Sequence, residues 1–513
     1  MSIQTLHDDN LILIFEMAAE LDAPDAYTTF QLGWISLSHV NRRWRLLLLD
    51  QPVLWGRVVC EFPSRDAYRT CLYRARAAPL SLKADRDWVQ MCTSVEEIAS
   101  LIPRARKIGF ADPAAGVLTL SLEGMALPLL EDLKTVRCHS MNKGLVAPSL
   151  RRLSIYTIPF SISAPHLRTL SVVLSTLDSN THYLPGIVAA FSFLEELTVK
   201  FLEPGRCYLT GAADDELARR NNEDRLNAIL SDLERGTPPK EMPRLTSLSV
   251  SDCDALFIKV LWRSLAVPRT ATISVVYGSD AVWRLASAEP MQTYLSYPEY
   301  DTLSVTTSTD GREQRCSLHA GESGVAGSCD VTLISSSILY ALSASSLDSI
   351  FANIRTLHLV DNQKPQAARE GSRLTSGPNT TPLRPNLGAF FSVQCLRLGG
   401  PGVVELLLVL SLYNLPKLKT VEFDGTTQPF YDGDAMSDLS RILHARASVP
   451  DNTRLGRIVI RGWVPRTERS RIERDVLDLD FHKVADVVTD ERIVMLVHAD
   501  DALAAESGQD QSA

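Results

Sequence analysis

Apolar positions along the chain keep two different rhythms. Over residues 1–60 they cluster as they do on helices. Leu11-Ile12-Leu13-Ile14-Phe15-Glu16-Met17-Ala18-Ala19-Glu20-Leu21 predicts one helix, with Asp8 or Asp9 capping its start and Pro24 beyond its end. A second is predicted from Thr28 or Thr29, with Leu32, Ile35, Leu37 and Val40 on its inner side. Asn41-Arg42-Arg43-Trp44-Arg45 then leads into Leu46-Leu47-Leu48-Leu49, and Gln51-Pro52-Val53-Leu54-Trp55 closes the block. From about residue 100 a shorter rhythm takes over: apolar, two variable residues, apolar, one variable residue, apolar. It reads Leu133-x-x-Val136-x-Cys138, Leu150-x-x-Leu153-x-Ile155, Leu167-x-x-Leu170-x-Val172, Leu194-x-x-Leu197-x-Val199 and Leu245-x-x-Leu248-x-Val250. It resumes at Ile354-x-x-Leu357-x-Leu359, Val393-x-x-Leu396-x-Leu398, Leu418-x-x-Val421-x-Phe423 and Leu455-x-x-Ile458-x-Ile460. Such alternation predicts a strand with one face in the core.

This unit resembles the strand portion of a leucine-rich repeat. One unit has no means of burying its face alone, so neighbours stack. The predicted fold class is α/β: a small N-terminal block of three helices, then an irregular leucine-rich-repeat-like α/β solenoid. The expected boundaries are a helical domain over 1–60, connecting helices and linker over 61–100, the array over 101–498 and a disordered tail over 499–513. Middle positions lie 17 apart from Val136 to Leu153 and again to Leu170, then 27 apart to Leu197 and 51 to Leu248. The longest interval holds an insert at about 212–236, predicted helical over Asp214 to Arg235. A second insert, about 361–386, is polar, contains four prolines (Pro365, Pro378, Pro382, Pro385) and is predicted as a disordered loop. The pattern is weakest between Leu256 and Asp348. Tyr300-x-x-Leu303-x-Val305 keeps it, Ile273-x-Val275 and Val331-x-Leu333 keep part of it, and hairpin-like excursions are expected around Gly311 and Gly324.

Within the first block, Leu6-x-Asp8-Asp9, Ile14-Phe15, Leu37-Ser38-His39-Val40-Asn41-Arg42-Arg43-Trp44-Arg45 and Pro52-x-Leu54-Trp55 stand in an order that resembles the F-box. His7 departs from the family's usual Pro, and Asn41 from its usual Cys. With Ala78-Pro79-Leu80-Ser81-Leu82 following, the style is similar to the large F-box families of mushroom-forming fungi. The resemblance implies docking of a Skp-type adaptor and, through it, a cullin–RING (SCF) ubiquitin ligase. It implies an adaptor-binding set of Leu6, His7, Leu11, Ile14, Phe15, Leu37, Val40, Trp44, Leu54 and Trp55, with Trp44 and Trp55 largely buried. The array would then hold an unknown target protein for ubiquitin-dependent degradation.

On each strand of a curved array the alternate residues face outward along one continuous surface. Those positions are Arg152, Ser154, Thr169, Ser171, Glu196, Thr198, Ser247, Ser249, Thr356, His358, Arg397, Thr420, Glu422 and Arg457. Their mixed chemistry suits protein recognition better than a single charged polymer.

Composition narrows the classes. The chain of 513 residues is 45% hydrophobic and 22% charged, enough apolar material for a large core and against global disorder. Its net charge of −9 is a poor match for nucleic-acid phosphates, and basic and acidic residues are mixed, as in Arg466-Thr467-Glu468-Arg469-Ser470-Arg471, so no basic face is read. No run of apolar residues is long enough to span a membrane, and the first ten residues lack the pattern of a secretory signal. The cytosol or nucleus is expected, with nine scattered cysteines as free thiols.

The nucleotide-loop, nucleophile-elbow and zincin motifs are missing. Cys316-Ser-Leu-His319 with Cys329 supplies three ligand types at poor spacing for zinc, so no metal or cofactor is expected. The reading is a non-catalytic receptor subunit. Two alternatives stay open: an interaction scaffold whose box does not engage a ligase, and an enzyme on an α/β scaffold.

Overall fold

The computed structural model describes residues 6–24, 31–62, 64–84, 94–110, 121–135, 144–156, 161–175, 184–202, 212–253, 255–277, 293–294, 296–307, 314–319, 328–333, 350–361, 390–399, 415–425, 441, 443–448, 455–465 and 483–495. They form a mixed α/β chain in two compact units: Met1–Val250 with Val260–Pro268, and Ser251–Lys259 with Arg269–Ala513. Thr28, Thr29, Gly311, Gly324, nearly all of the second insert, the Arg466 run and the 499–513 tail lie outside the described residues.

In the first unit the chain opens with α1 (Asp8–Leu21). Its cap is His7, whose carbonyl accepts the N–H groups of Asn10 and Leu11 at 3.1 and 3.2 Å. Asp8 and Asp9, expected as caps, sit instead in the first turn, where negative charge suits the helix's positive end. Arg43 of α2 (Arg42–Leu49) fastens that turn: its Nε and Nη2 reach Asp8 at 2.9 and 2.5 Å, and Nη2 reaches the Leu6 carbonyl at 2.6 Å. Asn41 caps α2, its Oδ1 accepting the Trp44 N–H at 2.9 Å. The departure from the family pattern at Asn41 therefore has a local reason.

The predicted second helix is a short 3-10 helix, Gly33–His39. Of its four expected inner residues only Ile35 is buried; Leu37 is half-buried, and Leu32 and Val40 are exposed. The cause is a close crossing. Gly33 adopts φ +55°, and a Cβ there would lie 2.5 Å from the Asp22 carbonyl oxygen. That same oxygen accepts the Trp34 N–H at 2.9 Å. The chain is pinned over the end of α1, and Trp34 turns inward against Trp55 with ring centroids 5.4 Å apart. Trp55 belongs to α3 (Pro52–Arg57), which starts on a proline as first turns favour. Its indole N–H donates to the Leu48 carbonyl at 2.9 Å, and the Arg74 guanidinium of α4 (Arg65–Ala75) lies 4.4 Å over its ring.

The sheet begins inside the expected linker, at β1 (Leu80–Ala84), followed after α5 (Val95–Leu101) by β2 (Ala105–Phe110) and β3 (Asp132–Thr135). Then come β4 (Leu145–Val146), β5 (Arg152–Tyr156), β6 (Ile162–Ser163), β7 (Thr169–Ser175), α6 (Leu184–Ala189) and β8 (Glu196–Leu202). The expected insert helix forms as α7 (Ala212–Glu234), and β9 (Lys240–Glu241) and β10 (Ser247–Cys253) follow. Strand order is β1-β2-β3-β5-β7-β8-β10, with β1 through β8 paired in parallel. β4 pairs with β6, and β9 with β11 (Leu265–Ala266), as two separate two-stranded parallel sheets.

One register corrects the sequence reading. Leu133 pairs with Leu153, and Leu153 with Leu170, so the unit there is Leu130-x-x-Leu133-x-Thr135. Val136 and Cys138 lie outside the described residues. The choice is made upstream. Strands β3, β5, β7, β8 and β10 are each preceded by a four-residue turn closed by an N–H to carbonyl bond: Leu127–Leu130, Ala147–Leu150, Ala164–Leu167, Phe191–Leu194 and Met242–Leu245. Pro128, Pro148, Pro165 and Pro243 occupy the second place in four of them, where a fixed φ favours the turn. Pro128 sets Leu130 as the first core position and leaves Thr135 buried at the third.

In the second unit β12 (Thr272–Tyr277), β13 (Thr302–Thr307), β14 (Gln314–His319), β15 (Ser328–Leu333), β16 (Thr356–Asp361), β17 (Cys395–Gly399), β18 (Thr420–Gly425), β19 (Leu455–Pro465) and β20 (Ala485–Met495) lie in the order β12-β15-β14-β13-β16-β17-β18-β19-β20. β14 is antiparallel to both neighbours, which makes the difficult stretch a three-strand meander inside parallel pairings. The closed turn recurs at Tyr297–Tyr300, Phe351–Ile354, Phe390–Val393 and Leu415–Leu418, with Pro298 and Pro416 in the second place. Tyr294 and Tyr300 are buried and donate to the carbonyls of Ala271 at 3.1 Å and Arg269 at 2.6 Å. Cys316 of β14 is buried among these strands, and burial pushes its thiol up to about 12.

Candidate functional site

Helix α1 is apolar on two sides. Leu11 and Phe15 are fully buried, Phe15 meeting Trp44 edge-on at 5.3 Å. Leu13, Ile14, Met17 and Leu21 point the other way and are 57%, 37%, 56% and 86% exposed. Spacings of three and four place Ile14, Met17 and Leu21 on one stripe. A globular helix normally buries one stripe and solvates the rest, so a second apolar stripe is a surface feature in need of a cover. The elements packed on α1 carry further exposed apolar residues, Leu32, Val40 and Leu46.

The expected adaptor set divides accordingly. Leu11, Phe15, Trp44, Leu54 and Trp55 are core, which removes them from any surface contact and makes them its support. Leu6 and Leu37 are half-buried, while His7, Ile14 and Val40 are exposed, His7 Nδ1 lying 3.2 Å from Asp9. Leu13, Met17 and Leu21 belong to the surface and were missing from that set. The spacings 13, 17, 21 and 14, 17, 21 in the sequence are the signal that identifies them.

The fourteen outward positions fall on strand faces. Arg152, Thr169 and Glu196 are successive cross-strand neighbours, as are Ser154, Ser171 and Thr198. Ser247 and Ser249 are half-buried on β10. The earlier strands add Lys107, Asp132 and Lys134 to the same rows, with Arg152 Nε 3.0 Å from Asp132. Together with Glu20, Arg57 and Glu61 of the helical block they line a cleft of about 790 Å³. Its charges are largely matched: Arg57–Glu20 at 3.8 Å, Lys83–Glu61 at 2.5 Å and Arg106–Glu131 at 2.8 Å. Lys107 was missed because Ala105, at the head of β2, fits the repeat pattern poorly, and Lys134 because the unit there was expected three residues further on.

In the second unit Thr356, Cys395, Thr420 and Arg457 form one row and His358, Arg397 and Glu422 the next. Arg397 and Arg457 are exposed. Glu422 is buried between two guanidinium groups, Arg397 Nε at 3.0 Å and Arg461 Nη1 at 2.8 Å. It serves as the anchor of two arginines and is not itself presented. Burial and the Glu422 carboxylate hold the neighbouring Cys395 thiol above its ordinary range.

Among the described residues no group of three or more His, Cys, Asp and Glu side chains is placed to hold a metal ion. Among them, too, no helix is long and apolar enough to cross a membrane. No family model matches the chain, and no curated protein matches it significantly.

Proposed function

We propose that the chain is the substrate-recognition subunit of an SCF-type ubiquitin ligase. The helical block is an F-box that docks a Skp-type adaptor and, through it, cullin. The strand array is an irregular leucine-rich-repeat solenoid that holds a target protein. The observation that carries this reading is the second apolar stripe of α1, Ile14–Met17–Leu21, seated above a core made by the motif residues Phe15, Trp44 and Trp55. Leaving such a surface in water costs about 25 cal/mol per Å², and a groove on another polypeptide is the usual cover for a helical stripe. The mixed outward face of the strands supports a protein as the second ligand. The chain itself does no bond-making; it supplies proximity.

The test is co-purification of the full chain with a Skp adaptor, against Ile14→Asp with Met17→Asp. A stable complex with the wild type that disappears in the double variant is expected. Failure of the wild type to bind leaves the alternative, a repeat scaffold with a box not engaged with a ligase. Exposed His7, whose side chain gives α1 no cap, is the feature that favours this second reading.

A further inference from the structure

Where connecting helices and a linker were expected, the first unit holds a strained joint. Helix α4 ends on Arg76, which adopts φ +48° and ψ −122°. The Ala78 N–H donates to the Ala75 carbonyl at 2.8 Å, so Ala75–Ala78 is a closed turn with Arg76 at its first central position. Those angles belong to a type II′ turn, in which glycine normally takes that place. A side chain there costs free energy, and such a residue persists only where its surroundings hold it.

Two contacts hold this one. Asp50 meets Arg76 Nη2 at 3.0 Å, but both side chains are largely exposed and a pair of this kind is worth little. The second contact is Arg104, at the end of the 3-10 turn Ile102–Arg104 that leads into β2. Its Nη2 donates to the carbonyls of both Arg76 and Ala78, the latter at 3.0 Å. Its Nε is buried, and no carboxylate pairs with Arg104 among the described residues. The guanidinium is therefore committed to the two turn carbonyls, as a charged and hence strong donor.

The turn delivers the chain to the sheet edge. Pro79 follows it, and Leu80 opens β1. Gly56 of α3 packs directly on this entry, since a Cβ there would run into the Pro79 carbonyl oxygen. The cleft of about 790 Å³ has one wall on each side of the joint: Val53, Arg57 and Val58 on the helical block, and Ser81, Leu82 and Lys83 on β1. Its width thus follows the angle that the turn sets. With Gly56 already against Pro79, a relaxing turn has room to move only outward.

We infer that Arg104 is the latch of a hinge at Ala75–Pro79, and that its release lets the helical block lift off β1 and open the cleft. The inference stands independently of adaptor docking. Two measurements on the full chain test it: amide hydrogen exchange across the turn, and hydroxyl-radical labelling of Trp34, which lines the cleft and is buried. Arg104→Gln is expected to speed exchange at the turn about tenfold and to raise Trp34 labelling severalfold. Exchange in β7 and β8 and labelling of buried Trp44 should stay as in the wild type, which separates a local opening from general unfolding. Arg76→Gly removes the strain and keeps both carbonyl acceptors. In that background Arg104→Gln should change either signal by less than about twofold, a rescue that an ordinary structural hydrogen bond would not show. If Arg104→Gln does not fold, Arg76→Gly alone decides: slower exchange at the turn than in the wild type supports the latch, and unchanged or faster exchange overturns it. The idea is also lost if Arg104→Gln exchanges like the wild type, if exchange rises equally in β7 and β8, if the turn opens while Trp34 stays protected, or if Arg76→Gly gives no rescue.

Discussion

The helical block and the parallel strands of the first unit solve burial in opposite ways. In the strands a period of two separates the faces cleanly: Leu153, Leu170 and Leu197 go inward, while Arg152, Thr169 and Glu196 go outward. In α1 the inner side is just as apolar, but the outer side carries Ile14, Met17 and Leu21 beside the exposed Glu16 and Glu20. Both regions have complete cores. The difference lies in what is left over. The strand face is compatible with water by itself, whereas the helix face is stable in water only at a cost that a covering partner removes.

Paired substitutions sharpen that contrast. The largest effect is expected at Phe15→Ala, at about 3–5 kcal/mol of unfolding free energy in denaturant titration, because it empties a site with no exposure. An equal cost at Ile14→Ala would break the distinction between the two sides of α1. Next comes a pH effect in the second unit. Burial raises the Cys316 thiol from an ordinary value near 9 to about 12, so the unfolded chain ionises first. Its contribution to stability is complete below about 9 and lost as pH rises through about 12. Subtracting the profile of Cys316→Ala from the wild type isolates it, and a flat difference would refute the buried placement. Asn41→Ala should cost about 1 kcal/mol through loss of the α2 cap, measured as a shift of the thermal midpoint. Smallest of all, Ile14→Asp with Met17→Asp should move folding stability by no more than about 0.5 kcal/mol per site. A large loss there would mean that the outer stripe is core after all.

Where the sequence was legible, a simple period was the reason. Strand positions from Leu150 to Val250 follow the apolar spacing, and the helix at Ala212–Glu234 was expected within two residues at its start and one at its end. The failure at Leu133 has an equally simple cause. Leu127-Pro-Leu-Leu130-Glu-Asp-Leu133-Lys-Thr135-Val136-Arg-Cys138 supports two overlapping readings, and only the proline-bearing turn separates them. The same signal, Pro two residues before the first core position, recurs at Pro148, Pro165, Pro243, Pro298 and Pro416 and was available throughout. Site residues were harder. Apolar residues on two sides of α1 leave the inward direction open, so core and surface residues of the helical block were gathered into one set.

The closed turns have a consequence for how this chain tolerates change. Where a closed turn precedes a strand, the strand starts a fixed five residues after its turn begins, but the path back to the next turn varies from several residues to one that includes a full helix such as α7. In those units the variable length falls after the strand and before the next turn. New loops or whole helices can be grafted there while every strand keeps its partner, leaving the turns and strands a constant platform on which a recognition surface can be kept.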